Sequence, residues 1–297
     1  MADVIAVDVG GTKLAAGLVR DDGTLVSRVD APTPLDVGAD ALFATLTELV
    51  DRLEATAAVA VGVGCGGPMD AGGEHVSPLN IHAWRGFPLR ARLAAHTGRP
   101  TWLDNDAKAL ALGEGWTGAA RGARDYIGMV VSTGVGGGIV LDGRLLDGAA
   151  GNAGHIGHMI VEPAGRECSC GARGCLEAEA SGSAFARFTG EPAAAASPAL
   201  RARTGMLVGR AVASVANLLD LPLAVVSGSV ALGFGEPFFT AAQHEVDASC
   251  RLDFSRGTRI VPGALGADGP LIGAARVAFR GIQAQIRRPG DPFRETP

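Results

Sequence analysis

The chain has 297 residues, 47% hydrophobic and 19% charged, which predicts well-filled cores rather than disorder. Its formal net charge is −5 without a long basic run, and this disfavours nucleic acid as the main partner. The sequence has no apolar run of membrane-spanning length and no secretion signal at its start, so we expect no membrane association and a soluble cytoplasmic protein.

The first part of the chain predicts an α/β arrangement, because short β-branched runs alternate with a helical spacing of leucines. The expected strands lie at 3–9, 14–19, 24–29, 58–63 and 101–103. The expected helices lie at 39–57, from Pro88 to His96 and from about Asp106 onward.

A similar pattern begins again near the middle of the chain. The expected elements are strands at 126–132 and 139–141 around a glycine turn at 134–138, a hairpin turn at 142–143, a helix at 201–220, strands at 224–226 and 258–261, a helix at 269–282 and a loose tail from 287. A strand–glycine turn–strand unit thus occurs twice, which predicts two similar α/β domains.

We divide the chain into an N-terminal α/β domain at 1–116 and a C-terminal α/β domain at 117–275. The last helix, taken as 276–288 in this division, is expected to pack back onto the first domain. A cysteine-rich loop at 158–175 belongs to the second domain.

The first glycine turn follows a carboxylate at the end of a strand. Backbone N–H groups of Gly10 and Gly11 could approach a phosphate closely, and Thr12 and Lys13 could add a hydroxyl and a positive charge. Asp8 could hold Mg²⁺ directly or through water, because Mg²⁺ prefers oxygen ligands. Taken alone, the motif fits a plain hairpin with an exposed aspartate equally well.

Two later glycine turns strengthen the phosphate-binding interpretation. Thr133 and Gly134 could meet the same triphosphate from the other side, and Gly228 could make a backbone contact near the nucleoside. One glycine turn is weak evidence for phosphate binding, and three such turns at strand ends in two matched halves are much stronger evidence.

Three of the five cysteines lie within eight residues of one another. Cys168, Cys170 and Cys175 follow a C-x-C-x4-C spacing, which in a cytosolic chain favours a metal over disulfides. Zinc takes four tetrahedral ligands, so one more ligand is needed. The alternative is three reduced cysteines in a tight loop.

Four segments together resemble the ROK family (repressors, unknown open reading frames, kinases), namely residues 8–13, 105–107, 132–138 and 168–177. The resemblance covers nearly the whole chain. It implies a two-domain actin-like, hexokinase-type (ribonuclease H-like) ATPase fold with sugar and ATP meeting in an interdomain cleft. It also implies ATP-dependent phosphorylation of a hexose or N-acetylhexosamine, at the 6-hydroxyl, by a homo-oligomer (dimer or tetramer).

The resemblance also implies roles for individual residues. Asp106 matches the family's catalytic aspartate, which accepts the proton of the attacking hydroxyl; Asp104 is the nearby competitor, and a plain helix cap is the alternative. His158 matches the histidine ligand of a structural zinc ion. Trp84 is expected to pack rather than to contact sugar. The sugar contacts implied are Gly67, Asn80, Asn105, His158 and Glu177.

One position departs from the family pattern. The usual Glu-x-Gly-His motif carries His155 in place of its glutamate, as in the N-acetylmannosamine kinases of the family. An imidazole could donate a hydrogen bond to an acetamido carbonyl, so His155 favours an N-acetylmannosamine-type sugar slightly over glucose, mannose or allose. The alternative is a histidine that only lines the site.

Two other classes of function compete with a kinase. A sugar-responsive regulator of the family carries an N-terminal winged helix, for which the phosphate motif starting at Asp8 is expected to leave no room. A non-catalytic sugar sensor is disfavoured because Asp8, Thr12, Asn105 and Asp106 are all present.

Overall fold

The computed structural model describes residues 2–286, and the predicted loose tail from 287 lies outside this part. The chain forms two compact units. Unit 1 consists of two segments of the chain, one up to Asp106 and one from Ala274 onward, and unit 2 is Ala107–Gly273. The sequence had placed these boundaries after residues 116 and 275. Within the described residues, none of the helices is both long enough and apolar enough to span a membrane.

The regular elements alternate along the chain. In the described part, the strands are β1 Asp3–Val9, β2 Lys13–Arg20, β3 Leu25–Pro32, β4 Val61–Cys65, β5 Thr101–Asn105, β6 Tyr126–Val131, β7 Val135–Leu141, β8 Arg144–Leu145, β9 Leu223–Ser227 and β10 Arg259–Pro262. The α-helices are α1 Ala39–Asp51, α2 Leu89–Thr97, α3 Asp106–Trp116, α4 Leu176–Ala180, α5 Gly182–Thr189, α6 Pro198–Leu219, α7 Ser229–Phe234, α8 Glu236–Ser249 and α9 Gly269–Ile286. Helices α4, α5, α7 and α8 were not predicted.

Unit 1 is built on a five-stranded sheet of order β3-β2-β1-β4-β5. The first three strands form an antiparallel meander, and β4 and β5 extend it in parallel. Helix α1 buries Leu42, Leu46 and Leu49 in the core of this unit. It ends at Asp51 rather than at the predicted residue 57, because the chain turns and Glu54 adopts a left-handed conformation (φ +48°).

Unit 2 repeats the same topology with a second sheet of order β10-β9-β6-β7-β8. Strand β6 corresponds to β1, β7 to β2, β8 to β3, β9 to β4 and β10 to β5. The antiparallel pairings of β6, β7 and β8 and the parallel pairings of β6, β9 and β10 match those of unit 1. The predicted repeat is therefore confirmed at the level of topology.

The predicted glycine turn at 134–138 is wrong in extent, because β7 already begins at Val135. Its glycines provide room for helix α3 instead of forming a turn. A Cβ on Gly136 would lie 2.8 Å from the Cβ of Ala107, and one on Gly138 would lie 2.8 Å from the Cβ of Ala111. Gly128 of β6 also faces Ala111, so three strand glycines in all, Gly128, Gly136 and Gly138, allow α3 to approach the sheet closely.

The parallel strands of each sheet end at one edge, and the candidate residues lie there. In unit 1 the register places Val9, Cys65 and Asn105 in one row across β1, β4 and β5. In unit 2 it pairs Val130 with Ser227, the last residue of β9. Carboxyl edges of parallel strands are the usual ligand sites of α/β proteins.

Candidate active site and metal centre

The β1–β2 turn is closed by its own backbone. The amide of Gly10 donates to the carbonyl of Lys13 (3.0 Å), and the hydroxyl of Thr33 donates to the carbonyl of Gly10 (2.7 Å). A Cβ on Gly11 would lie only 2.7 Å from the Cβ of Asn80. Glycine at this position therefore lets Asn80 pack directly on the turn, while Thr12 stays exposed.

Two carboxylates meet at the carboxyl edge of the unit 1 sheet. Asp8 lies near the end of β1, and Asp106 is the first residue of α3, directly after β5. Burial raises the pKa of Asp8 to about 7, and repulsion from Asp106 contributes, although Lys13 and Arg28 oppose the shift. Burial, with Asp106 and Asp8, also raises the pKa of the Cys65 thiol. At Asp8, burial and the repulsion from Asp106 thus outweigh the attraction of Lys13 and Arg28.

The neighbouring residues of β5 are arranged differently. Asp104 accepts a hydrogen bond from the backbone amide of Asn105 (2.8 Å) through one carboxylate oxygen. Asn105 is buried and lies in the row with Val9 and Cys65. Asp104 therefore supports the local backbone, whereas Asp106 begins the helix that follows.

Asn80 belongs to a loop that is held by backbone and side-chain contacts. The carbonyl of Gly67 accepts from the amide of Leu79 (3.1 Å), and one nitrogen of Arg85 donates to the carbonyls of Pro78, Ile81 and Trp84. Trp84 is fully buried and stacks on Phe87 with the ring centroids 4.5 Å apart. As predicted, Trp84 packs in a core.

Unit 2 gathers its own predicted residues around the β6–β7 turn. Glu177 accepts from the amide of Val135 (3.0 Å), and a Cβ on Gly134 would lie 2.8 Å from the same carboxylate oxygen. The carbonyl of Thr133 accepts from the amide of Ser183 (3.1 Å). Glu177 therefore lies beside the glycine turn, with one oxygen supporting it.

Gly228 lies at the end of β9, on the same edge. Its φ is +101°, and a Cβ there would collide with the backbone of Val131, so only glycine fits. The hydroxyls of Ser132 and Ser229 are 2.9 Å apart and join the two turns. This serine pair was not singled out in the sequence.

The predicted metal ligands form one cluster. The ligand atoms of His158, Cys168, Cys170 and Cys175 all lie within 4.8 Å of one another. The sulfurs of Cys170 and Cys175 are 3.7 Å apart, and Nδ1 of His158 is 3.7 Å from the sulfur of Cys168. Tetrahedral zinc with bonds of about 2.0–2.3 Å separates its ligand atoms by roughly 3.3–3.8 Å, so both of these contacts fit such an ion.

The loop that carries the cluster connects it to Glu177. Gly171 and Gly174 both have positive φ, and a Cβ on Gly174 would collide with the carbonyl of Glu162. Cys175 directly precedes α4, which holds Glu177 in its first turn. Burial raises the pKa of Cys175 to about 12, and the neighbouring sulfurs contribute.

His158 can serve two purposes because its ring has two nitrogens. Nδ1 faces Cys168, so a metal bound there leaves Nε2–H as a donor on the other edge of the ring. The rings of His155 and His158 are nearly parallel, with centroids 6.2 Å apart.

The hydrogen bond of His155 bears on the donor role predicted for it. Its Nδ1 lies 2.8 Å from the carbonyl oxygen of Asn152. A carbonyl can only accept, so Nδ1 carries the hydrogen, and Nε2 is an acceptor in the neutral ring. The neutral ring therefore presents an acceptor, like the glutamate it replaces, rather than the predicted donor.

Two buried charges that support the site were missed in the sequence. Glu179, 1% exposed, accepts from the amide of Arg166 (2.6 Å) and from the guanidinium of Arg203 (2.9 Å), so it ties the metal loop to α4 and α6. Lys108, 2% exposed, donates to Asp147 (2.8 Å) and holds the loop before His155. Each is a charge inside a largely apolar helical segment, a signal that sequence patterning can detect.

Comparison with known proteins agrees with this arrangement. The ROK family model matches residues 4–280. A glucokinase from Thermotoga maritima is 40% identical over 191 residues, which cover 63% of this chain and 60% of that protein. An N-acetylmannosamine kinase from Citrobacter koseri is 39% identical over 255 residues, covering 81% of this chain and 87% of that one.

Solved structures show the same relationship. A ROK family glucokinase from Streptomyces griseus, in complex with glucose and AMPPNP, is 30% identical and aligns with a TM-score of 0.83 over 94% of this chain and all of that one. The chain therefore belongs to the ROK family and has the hexokinase-type, actin-like fold predicted for it.

Proposed function

We propose that this chain is an ATP-dependent sugar kinase with Asp106 as the general base. The observation that carries the proposal is the Asp8–Asp106 pair at the carboxyl edge of the unit 1 sheet, in a chain of the ROK family. Asp106 would accept the proton of the attacking hydroxyl. The hydroxyl oxygen then forms a bond to the γ-phosphorus as the bond to ADP breaks.

The phosphate-binding roles follow the glycine turns. In unit 1 the proposed ATP contacts are Gly10, Gly11, Thr12 and Lys13, and in unit 2 they are Thr133, Gly134 and Gly228. Asp8 would hold Mg²⁺, which neutralises phosphate charge when it is bound. The raised pKa of Asp8 fits this role, because a divalent ion beside two mutually repelling carboxylates would stabilise their charged forms.

The proposed substrate is a hexose with an acetamido group, of the N-acetylmannosamine type, phosphorylated at the 6-hydroxyl. The Citrobacter koseri N-acetylmannosamine kinase is 39% identical over 81% of this chain, whereas the Streptomyces griseus glucokinase, which aligns over 94% of it, is 30% identical, and this difference supports the choice over glucose. Nε2 of His155 would accept a hydrogen bond from the acetamido N–H, because Nδ1 is occupied by Asn152. The other proposed sugar contacts are Gly67, Asn80 and Asn105 in unit 1, and His158 and Glu177 in unit 2.

The metal cluster is proposed to hold one structural zinc ion through His158, Cys168, Cys170 and Cys175. Four protein ligands leave no position for a reacting water, so the ion would order the loop rather than take part in phosphoryl transfer. Its contribution to the site would be the placement of Glu177, two residues after Cys175.

A sugar-dependent ADP-release assay with purified protein tests the proposal. N-acetylmannosamine, N-acetylglucosamine, glucose, mannose and allose are compared with a reaction that contains no sugar, and each is repeated with EDTA present. We expect release only with sugar and divalent cation, and with the highest kcat/KM for N-acetylmannosamine. The absence of sugar-dependent ADP release across the panel would overturn the kinase proposal.

The position of transfer is tested with a matched analogue. A 6-deoxy form of the best sugar should bind competitively and should not stimulate ADP release, since the accepting hydroxyl is missing. Phosphorus NMR of the product should show a 6-phosphate. Turnover of the 6-deoxy sugar would place the transfer elsewhere on the ring. Light scattering on the same sample tests the prediction of a dimer or tetramer.

A further inference from the structure

A second carboxylate of α3, Glu114, is completely buried and has no role in the reaction outlined above. One of its oxygens accepts from the amides of Ala119 (2.8 Å) and Ala264 (3.2 Å). The other accepts from the hydroxyl of Ser227 (3.1 Å) and the amide of Leu265 (3.3 Å). Among the described residues, Glu114 thus binds four donors contributed by three separate segments.

The surroundings of this carboxylate leave little freedom. Three of its four partners are backbone amides, which can only donate, so both carboxylate oxygens act as acceptors. A Cβ on Gly263 would lie 2.5 Å from one oxygen of Glu114, and a side chain on Gly118 would also collide with the carboxylate. Glycines at both positions make room for these contacts.

The partners of Glu114 mark the carboxyl edge of the unit 2 sheet. Ser227 ends β9 and is followed directly by Gly228, the turn proposed to contact the nucleotide. Ala264 and Leu265 follow β10, the neighbouring parallel strand. Glu114 therefore holds the ends of two adjacent strands in a fixed position relative to α3.

We propose that Glu114 is a positioning residue for the nucleotide, acting through Ser227 and the loop at 263–265. The inference rests on the proposed kinase function and adds to it a residue that touches neither substrate. The carboxylate fixes Ser227, and Ser227 directly precedes Gly228, which has no side chain and is held by its backbone alone, with its carbonyl accepting from the amide of Leu232 (3.0 Å).

The decisive variant is Glu114→Gln, which keeps the shape of the side chain but turns one acceptor into a donor. The new NH₂ group must face at least one backbone amide, because each oxygen of Glu114 accepts from one. We expect the KM for ATP to rise by about 5- to 150-fold, the range that one mispaired buried polar group costs. The KM for the sugar should stay within about twofold of wild type.

The matched control is Tyr126→Phe, which also removes a buried hydrogen bond to α3. The hydroxyl of Tyr126 donates to the carbonyl of Ala111 (2.9 Å), and Tyr126 begins β6, at the opposite end of that strand from the carboxyl edge where Ser227 lies. We expect this variant to lower the melting temperature without changing the KM for ATP. If Glu114→Gln behaves in the same way, with an unchanged KM for ATP, Glu114 is a structural clamp and the inference is wrong.

A milder variant covers the case in which Glu114→Gln does not fold. Ser227→Ala removes one of the four hydrogen bonds, and we expect it to raise the KM for ATP by a few fold; an unchanged value would overturn the inference. Calorimetric titration with a non-hydrolysable ATP analogue is run on every variant. If the wild type binds the analogue but phosphorylates no sugar, the kinase proposal fails, and the titrations still decide the role of Glu114.

Discussion

The two sheets have the same topology, but the buried carboxylates at their carboxyl edges have different surroundings. In unit 1, Asp8 and Asp106 lie close together, and burial and mutual repulsion raise the pKa of Asp8 to about 7. In unit 2, Glu114 is buried as deeply as a side chain can be, and four donors surround it. At one edge, burial and repulsion therefore disfavour the charged form of Asp8, and at the other a buried carboxylate is held by amide and hydroxyl donors.

The difference shows what each edge is suited for. Carboxylates that repel each other in a buried site cost stability but can bind a divalent cation or accept a proton, so they suit catalysis. A carboxylate satisfied by fixed donors is chemically quiet and holds strand ends in place. The same topology thus occurs twice, and a few charged residues distinguish the two edges. We call the unit 1 edge with Asp8 and Asp106 the reactive edge, and the unit 2 edge held by Glu114 the positioning edge.

The largest expected effect concerns the metal cluster of unit 2, for which the described residues of unit 1 offer no counterpart. Protein purified without added metal should contain one zinc per chain, and Cys170→Ala should reduce this to near zero. Cys170 is exposed, so its loss removes a ligand without opening a core cavity. We expect the free energy of unfolding to fall by several kcal/mol, since structural zinc is worth roughly 10 kcal/mol or more in zinc-finger peptides.

Elemental analysis and thermal melting measure this effect, and Cys250→Ala is the control, because Cys250 is buried outside the cluster. That variant should keep its zinc. The KM for the sugar should rise only in Cys170→Ala, since Glu177 follows the metal loop. Active, folded wild type without zinc would show that the loop is held by its hydrogen bonds alone.

The second prediction addresses the reactive edge. Asp106→Asn should lower kcat by about 10²- to 10⁴-fold, the usual contribution of a positioned general base, and leave the fold intact. Asp104→Asn is the matched control two residues away, and we expect its kcat to stay within about tenfold of wild type. Steady-state kinetics with the best sugar and far-UV circular dichroism decide the matter. An equal loss of kcat in both variants would show that Asp106 is not the general base.

The third prediction concerns how much Asp8, at the same edge, lowers the free energy of unfolding. Folding raises the pKa of Asp8 from 3.8 to about 7, so the folded protein holds a proton that the unfolded chain has released between these values. The contribution of Asp8 to stability therefore falls as the pH rises from 4 to 7. In protein without added Mg²⁺, Asp8→Asn should be more stable than wild type at pH 8, by about 4 kcal/mol at most, and equal to it at pH 4.

Denaturant unfolding at the two pH values measures this difference. Asp22→Asn is a control of opposite sign, because hydrogen bonds from Thr24 lower the pKa of Asp22 in the folded protein. Its carboxylate stabilises above the unfolded pKa, and this contribution is lost as the pH falls. A gain from Asp8→Asn that is the same at pH 4 and pH 8 would mean that charge is not its cause.

The smallest expected effect concerns sugar choice. Because Nδ1 of His155 donates to Asn152, the neutral ring and a glutamate both present an acceptor. We therefore expect His155→Glu to change the ratio of kcat/KM for N-acetylmannosamine over glucose by less than about fivefold. The donor role predicted from sequence requires a shift toward glucose of about 5- to 150-fold. Kinetics of both sugars on both proteins distinguish the two.

Much of this protein was determined by local sequence patterns. Periodicity and turn chemistry placed β1, β2, β6 and β9 within a residue or two, because these features depend on neighbours along the chain. The cysteine spacing predicted the metal cluster, since two tight glycine turns bring the thiols together within one short loop. The family resemblance, which rests on four such local motifs, is confirmed over residues 4–280.

Only the tertiary structure decided the features that depend on distant residues. The glycines of β7 read as a turn in the sequence, but they are strand residues that make room for α3. The donor pattern of His155 is set by the carbonyl of Asn152, and the environment of Glu114 by loops more than a hundred residues away. Sequence patterns report propensity and burial, whereas charge compensation and hydrogen-bond direction depend on which groups the fold brings within about 3 Å.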